Sequence, residues 1–247
     1  MTTTDKQHWE SQAANWVEWA RKPGFDAYWH YRERFFDLIP APGGVTVDVG
    51  CGEGRLSRDL ASRGYAVTGV EPAPGLRKAA QEAHPEGKYV DGEASNLPFQ
   101  DASVDLLVSY NMLMDVDDLD GALREFARVL KPSGKLAITI VHPVADSIGF
   151  DQSDPEAPFT IDGSYLATSA FNAVDTKEGI SMHFSGWHRS IGTYAEALRQ
   201  AGLLIETIRE PVPHDDSPED RFARWRRFPA FMQVLATTPG VSTIPTP

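Results

Sequence analysis

The stretch that most limits the fold is "VTVDVGCGEGRLSRDL", residues 45 to 60, where a β-branched run gives way to three alternating glycines and then to an amphipathic pattern. Val45 to Val49 read as a buried strand. "GCGEG" lets the backbone turn without Cβ clashes and come close to a ligand. The helix expected from about Glu53 points unpaired N–H groups at the same place. The rhythm then continues. "RLSRDLASRG" reads as a helix, "YAVTGVE" as a strand, "PAPGLRKAAQEAH" as a helix and "GKYVDG" as a short strand. "ASVDLLVSYN", "LDGALREFARVL" and "GKLAITIVHP" follow as strand, helix and strand. Such alternation at short spacing implies parallel βαβ units with right-handed crossovers, an α/β doubly wound, Rossmann-like sheet. Further on, "SIGTYAEALRQAG" is a capped helix, "LLIETIREP" a strand and "PAFMQVLATTP" its antiparallel partner.

Two segments stand outside this rhythm. Residues 1–39 hold four of the six tryptophans, Trp9, Trp16, Trp19 and Trp29, in two helical patterns broken at "RKPG". They are expected to form an N-terminal helical cap. Residues 143–189 are rich in Pro, Asp, Gly and Ser, with no clear helix or paired strand, and are expected to be an irregular inserted lid over the substrate. The ligand-binding core then spans 40–142, and 190–247 complete its sheet.

Composition narrows the function. With one cysteine in 247 residues, no disulfide framework can form within the chain. No apolar stretch reaches the ~18 residues of a spanning helix, and "MTTTDKQHWE" has no basic leader before an apolar run. A cytoplasmic protein without membrane contact is expected. A formal charge of −12 repels a phosphate backbone and weighs against nucleic acid as substrate. The basic run "RFARWRRF", 221–228, is the one RNA-like feature.

The glycine spacing separates two nucleotide classes. A dinucleotide loop wants G-x-G-x-x-G, whose third glycine packs helix on strand. Here the spacing is G-x-G-x-G, with Arg55 at the packing position, which counts against a pyrophosphate. Glu71, at the end of the second strand, can accept hydrogen bonds from vicinal ribose hydroxyls. Cys51 has no basic neighbour in sequence and reads as a small packing residue.

"VDVGCGEGRLSRDLASRGYAVTGVEPAPGLRKAA" resembles the first two motifs of the class I S-adenosylmethionine-dependent methyltransferases. "DGEASNLPFQDASVDLLVSY", "ALREFARVLKPSGKLAI" and "HRSIGTYAEALRQAGL" are similar to later family segments in order and spacing. The resemblance implies a seven-stranded sheet of order 3-2-1-4-5-7-6 with the last strand antiparallel. It implies S-adenosylmethionine as cofactor, S-adenosylhomocysteine as product, and methyl transfer to an O, N or C atom of a small metabolite. It also implies the cofactor contacts. Gly50, Cys51 and Gly52 would pass beneath the amino-acid part, with Asp48 organising its ammonium. Glu71, beside Pro72, would hold the ribose. Glu93, where the family commonly has Asp, and Ala94 would face the adenine. Tyr110 and Asn111 would border the methionine moiety.

Transfer from a sulfonium needs mainly in-line positioning and exclusion of water, and an oxygen acceptor adds the need for a base. His142 and His188 are the candidate catalytic histidines, each with a plain structural alternative. Tyr28, Trp29, His183 and Trp187 are candidate acceptor contacts. No metal-ligating set is expected, and a homodimer is kept as an option. Two rivals stay open: a non-methylating, cyclase-like enzyme that binds the same cofactor, and an RNA methyltransferase.

Overall fold

The structure is a computed structural model that describes residues 5–151, 154, 156–161 and 163–240; of residues 219–221 only the backbone is described. The chain begins with α1 (Asp5–Arg21) and α2 (Tyr28–Phe36). A βαβ series follows: β1 (Val45–Val49), α3 (Arg55–Ser62), β2 (Ala66–Val70), α4 (Pro74–Ala83), β3 (Lys88–Val90), β4 (Val104–Tyr110), α5 (Leu119–Val129) and β5 (Leu130–Val141). Two short strands, β6 (Ile148–Gly149) and β7 (Thr160–Ile161), precede a hairpin of β8 (Ser169–Lys177) and β9 (Ile180–His188). The chain ends with α6 (Ile191–Gln200), β10 (Leu204–Arg209), α7 (Glu219–Arg227) and β11 (Phe231–Thr237).

Local chemistry sets the ends of these elements. Pro74 opens α4 at a position that needs no N–H. The Asp118 side chain accepts from the Gly121 N–H to cap α5, and Ser190 does the same for α6 through Thr193. Gly202, at φ 76, follows α6 and frees the chain to turn into β10.

The main sheet has seven strands in the order β10-β11-β5-β4-β1-β2-β3, with β11 antiparallel to both neighbours and the rest parallel. Counting only the strands of this sheet, that is the order 3-2-1-4-5-7-6. Strand alternation divides the side chains between two faces. Val47, Leu107, Ile138 and Val234 pack with Leu123 and Phe126 of α5 and Leu198 of α6. Val108 and Ala137 pack on the opposite face with Phe35 of α2 and Leu56 and Leu60 of α3. Both faces are covered, as a mostly parallel sheet requires.

The segment 143–189 departs from expectation. Its second half is a regular antiparallel hairpin, with β8 and β9 in register from Ser169↔His188 to Lys177↔Ile180. A two-residue turn closes it, with Glu178 at φ 50 and Gly179 at φ 84. Positive φ at both positions is the geometry that matches strand twist, but glutamate is an unusual first residue there, so "KEGI" gave no turn signal. The hairpin is held from outside. Ile180 and Met182 pack on Trp19 and Phe25 of the N-terminal segment. Asn15 of α1 donates to the Ser181 carbonyl at 2.9 Å, and Gln12 accepts from the His183 N–H at 3.1 Å. Cap and hairpin thus form one roof above the C-terminal ends of β1, β4 and β5.

Candidate functional site

Under this roof lies a cavity of about 690 Å³, within the usual range for a small-molecule site. Its floor is the loop between β1 and α3. Gly50, Gly52 and Gly54 all have positive φ. A Cβ on Gly50 would lie 2.3 Å from Met112 Cγ, so glycine is demanded there by space as well as by backbone. The Gly50 and Cys51 N–H groups both donate to the Val70 carbonyl, at 2.9 and 3.1 Å, which folds the loop back over β2.

Glu71 sits at the turn that loop faces. One of its carboxylate oxygens accepts from the Gly52 N–H and the other from the Ala73 N–H, each at 2.9 Å. Asp48 is buried one layer below and accepts from the Ser57 hydroxyl at 2.6 Å. Burial pushes both carboxyls up to about 7, against the lowering effect of those hydrogen bonds. Burial, with the charges of Asp48 and Glu71, drives the Cys51 thiol well above its ordinary range, so this cysteine is held as a neutral packing group.

The whole predicted cofactor set lines this one cavity: Asp48, Gly50, Cys51, Gly52, Glu71, Pro72, Glu93, Ala94, Tyr110 and Asn111. Tyr28 joins them through its ring, since its hydroxyl is turned aside to donate to Asp59 at 2.7 Å. The other proposed contacts lie elsewhere. Trp29, His142, His183, Trp187 and His188 are absent from the lining. His142 is 3% exposed and uses both ring nitrogens. Nδ1 accepts from the Val144 N–H at 3.2 Å, which leaves the proton on Nε2, 2.9 Å from Glu210. Burial lowers its pKa, with Glu210 opposing, and no lone pair is left to act as a base. The His188 Nε2 donates to the Tyr165 carbonyl at 2.8 Å, while Nδ1 lies 3.3 Å from Asp146. The backbone of His183 meets α1, Trp187 donates to Asp117 at 2.8 Å, and Trp29 packs against the core beneath α2.

Several lining residues escaped the sequence reading. Arg55 reaches across from α3 to pair with Asp26 at 2.7 Å, its guanidinium over the Trp16 ring at 5.1 Å and the Tyr28 ring at 4.3 Å. The residue at the glycine-packing position therefore pins the cap to the core. Trp16, Phe171 and Phe184 add aromatic walls, and Asp146 brings a carboxyl that His188 holds. Of these, Trp16 alone carried a sequence signal, the aromatic crowding of the cap.

Eleven carboxyl side chains line the cavity against three bases, Lys6, Arg55 and Lys177. Such a site favours a cation. A glycine loop that a Cβ would block, a buried strand-end glutamate and an acidic wall together fit S-adenosylmethionine, a cationic nucleoside. The basic run, by contrast, is spent on the protein itself. Arg224 donates to the Asp151 and Asp154 carbonyls at 3.0 Å, Arg226 to the His214 carbonyl, and Arg227 lies 3.6 Å from Glu156. Arg221, at its head, is outside the described side chains. Among the described residues no helix is long and apolar enough to cross a membrane.

Comparison with known proteins agrees with this geometry. A family model described as a methyltransferase domain matches residues 47–138. A demethylmenaquinone methyltransferase of Beutenbergia cavernae is 31% identical over 185 residues, 74% of this chain and 72% of that protein. A malonyl-[acyl-carrier protein] O-methyltransferase of Pectobacterium atrosepticum is 36% identical over 106 residues, 42% of each chain, so this chain spans less than half of that relative's length. The crystal structure of an S-adenosylmethionine-dependent methyltransferase from Mesorhizobium loti shares the fold, with TM-score 0.70, 24% identity, and coverage of 86% of this chain and 98% of that one. With the sheet order, the glycine loop and Glu71 in place, the chain belongs to the class I S-adenosylmethionine-dependent methyltransferase family.

Proposed function

We propose that the protein binds S-adenosylmethionine along the glycine loop and transfers its methyl group to a small, partly apolar metabolite under the aromatic cap. The observation that carries this reading is the convergence of the ten candidate cofactor residues and the cap aromatics on one acidic cavity. When bound, the cofactor supplies a methyl group already activated on a sulfonium. Glu71 accepts from the ribose hydroxyls, Asp48 supports the ammonium end through the loop, and Glu93 with Ala94 faces the adenine. Tyr110 and Asn111 border the reacting end, where the Asn111 Oδ1 is buried with no protein partner. Trp16, Tyr28 and Phe171 keep water out and align the acceptor.

His142 and His188 leave the list of proton acceptors in this reading, because their ring nitrogens are engaged. Where the acceptor must lose a proton, Asp146 is the candidate base: it lines the cavity, burial raises its pKa, and its carboxyl lies 3.3 Å from His188 Nδ1. Asp146→Asn is then expected to slow transfer at least tenfold and change cofactor affinity less than twofold, whereas His142→Asn lowers thermal stability and changes turnover less than threefold. Steady-state assays and thermal melts on both variants check this. The basic run's internal bonds give no support to an RNA acceptor. Incubation with methyl-labelled cofactor and metabolite extract tests the acceptor class. Label in the small-molecule fraction is the expected result, and label confined to tRNA or protein contradicts it.

The raised carboxyls give a pH signature. Burial raises Asp48 and Glu71 to about 7 in the folded protein, from their ordinary values of 3.8 and 4.5. In the free protein their protonation stabilises the fold fully below about pH 4, and that contribution is lost as pH rises through 7. A cationic, hydroxyl-bearing ligand prefers the ionised forms. Cofactor affinity by calorimetry is therefore expected to rise between pH 6 and 8 while the melting temperature of the free protein falls. A flat affinity profile contradicts the assignment.

A further inference from the structure

Four side chains on one face of the sheet carry buried polar atoms with no protein partner. Tyr110 on β4 is the register partner of Thr139 on β5, and Thr139 is the partner of Gln233 on β11. Register partners in adjacent strands project to the same face, so the three make one continuous cross-strand row. The Tyr110 hydroxyl, the Thr139 hydroxyl and both amide atoms of Gln233 are unbonded. Thr139 is 0% exposed and Gln233 1%. The fourth is Tyr31 of α2, which lies over the same face with its ring 4.8 Å from that of Phe231, and its hydroxyl is unbonded too.

Buried polar groups are nearly always hydrogen-bonded, and each exception calls for a physical reason. These four lie together beneath one end of the cavity, apart from the exceptions at Trp29, Arg34, Ser109 and Arg224. Tyr110 lines it directly, and so do Val141 and Phe231, the next residues on the same face of β5 and β11 after Thr139 and Gln233. The row thus lies under the end of the cavity away from Glu71, flanked by the apolar surfaces of Val141, Phe231 and the Tyr28 ring. Its members are all uncharged. The nearby guanidinium of Arg55 is already paired with Asp26. Hydroxyls and a primary amide offer both donors and acceptors, which suits a neutral group that also does both. Asp146, the carboxyl that lies beside Val141, belongs to the cavity wall and not to the row.

We propose that this row is a recess for a neutral oxygen function of the methyl acceptor, a hydroxyl or carbonyl on a planar, otherwise apolar molecule. Tyr110 meets that oxygen at the cavity wall, and Thr139 and Gln233 form the hydrogen-bonding floor behind it. The inference rests on the methyl-transfer reading for the identity of the ligand as acceptor, while the recess itself can be tested apart from it.

The probe pair is 1-naphthol and naphthalene, which differ by one hydroxyl. Their binding is measured by ligand-observed NMR with the full chain, free and saturated with S-adenosylhomocysteine. The wild type is expected to prefer 1-naphthol at least tenfold. Gln233→Met and Thr139→Val, which keep side-chain volume, are expected to reduce that preference below threefold with S-adenosylhomocysteine affinity within twofold. Because the removed groups have no protein partner, melting temperatures should hold or rise; a marked fall would assign the row to structure and overturn the recess. Equal binding of the two probes, binding of neither, or an unchanged preference in both variants also overturns it. Failure of S-adenosylhomocysteine to bind, with the naphthol preference intact, would instead strike the methyl-transfer reading and leave the recess standing.

Discussion

Glu71→Ala is expected to weaken S-adenosylmethionine binding about 100-fold, a loss of about 2.7 kcal/mol. The carboxylate does two things that no neighbour can take over. In the proposed reading it is the buried acceptor for the ribose, and it holds the Gly52 and Ala73 N–H groups that fix the loop against the turn after β2. A hydrogen bond to a charged group is worth about 1.5–3 kcal/mol, and a buried donor left without an acceptor adds its own penalty. Glu71→Gln keeps an acceptor and the shape, so about a tenfold loss is expected, with a flatter rise in affinity between pH 6 and 8. Glu82, exposed on α4, is the control, and Glu82→Gln should leave affinity unchanged. Isothermal titration of the three variants decides the matter; an affinity in Glu71→Ala within threefold of wild type would remove the residue from the site.

Gly50→Ala is expected to damage both the fold and the floor of the cavity. The residue sits at φ 71, where an L side chain costs about 1–2 kcal/mol. The new Cβ would also lie 2.3 Å from Met112 Cγ and 2.9 Å from Met112 Cβ. Met112 is half-buried against the core and must shift to make room, and overpacking of this kind costs about 1–3 kcal/mol. A total of about 2–5 kcal/mol lowers the midpoint of thermal unfolding by roughly 4–20 °C in a chain of this size. Cofactor affinity should fall at least tenfold as well, since the displaced loop is the floor of the cavity. Gly43→Ala gives the contrast: a Cβ there meets nothing within 4 Å, and its melt should match wild type. Indistinguishable melts for the two variants would refute the steric account.

The two variants probe the parts of the protein that were most legible in the amino-acid sequence. The glycine loop, Glu71 and the strand order are local or nearly local features, written in β-branched runs, helix caps and a spacing of 21 residues. The acceptor side was not legible, for physical reasons that differ by residue. His142 directly follows Val141 at the end of β5. Val141 lines the cavity, so the alternation of a strand turns the next side chain away from it. Position along the chain placed the histidine correctly at the sheet edge but could not give its direction. His188 lies 3.3 Å from Asp146, which lines the cavity, without itself reaching it. The hairpin went unread because its turn uses a glutamate at positive φ and its apolar residues pack on α1, more than 150 residues away in sequence. Arg55 reads in the sequence only as evidence against a pyrophosphate loop. Its anchoring role, through Asp26, Trp16 and Tyr28, depends on the three-dimensional approach of the cap.

The central claim is that the acidic cavity receives a sulfonium nucleoside and not a dinucleotide. Titrating the full chain with S-adenosylmethionine and, separately, with NADH tests it most directly. Saturable one-to-one binding of S-adenosylmethionine, with no heat from NADH at the same concentrations, is the predicted result. Binding of NADH that S-adenosylmethionine displaces, or no binding of S-adenosylmethionine at pH 8, would contradict it.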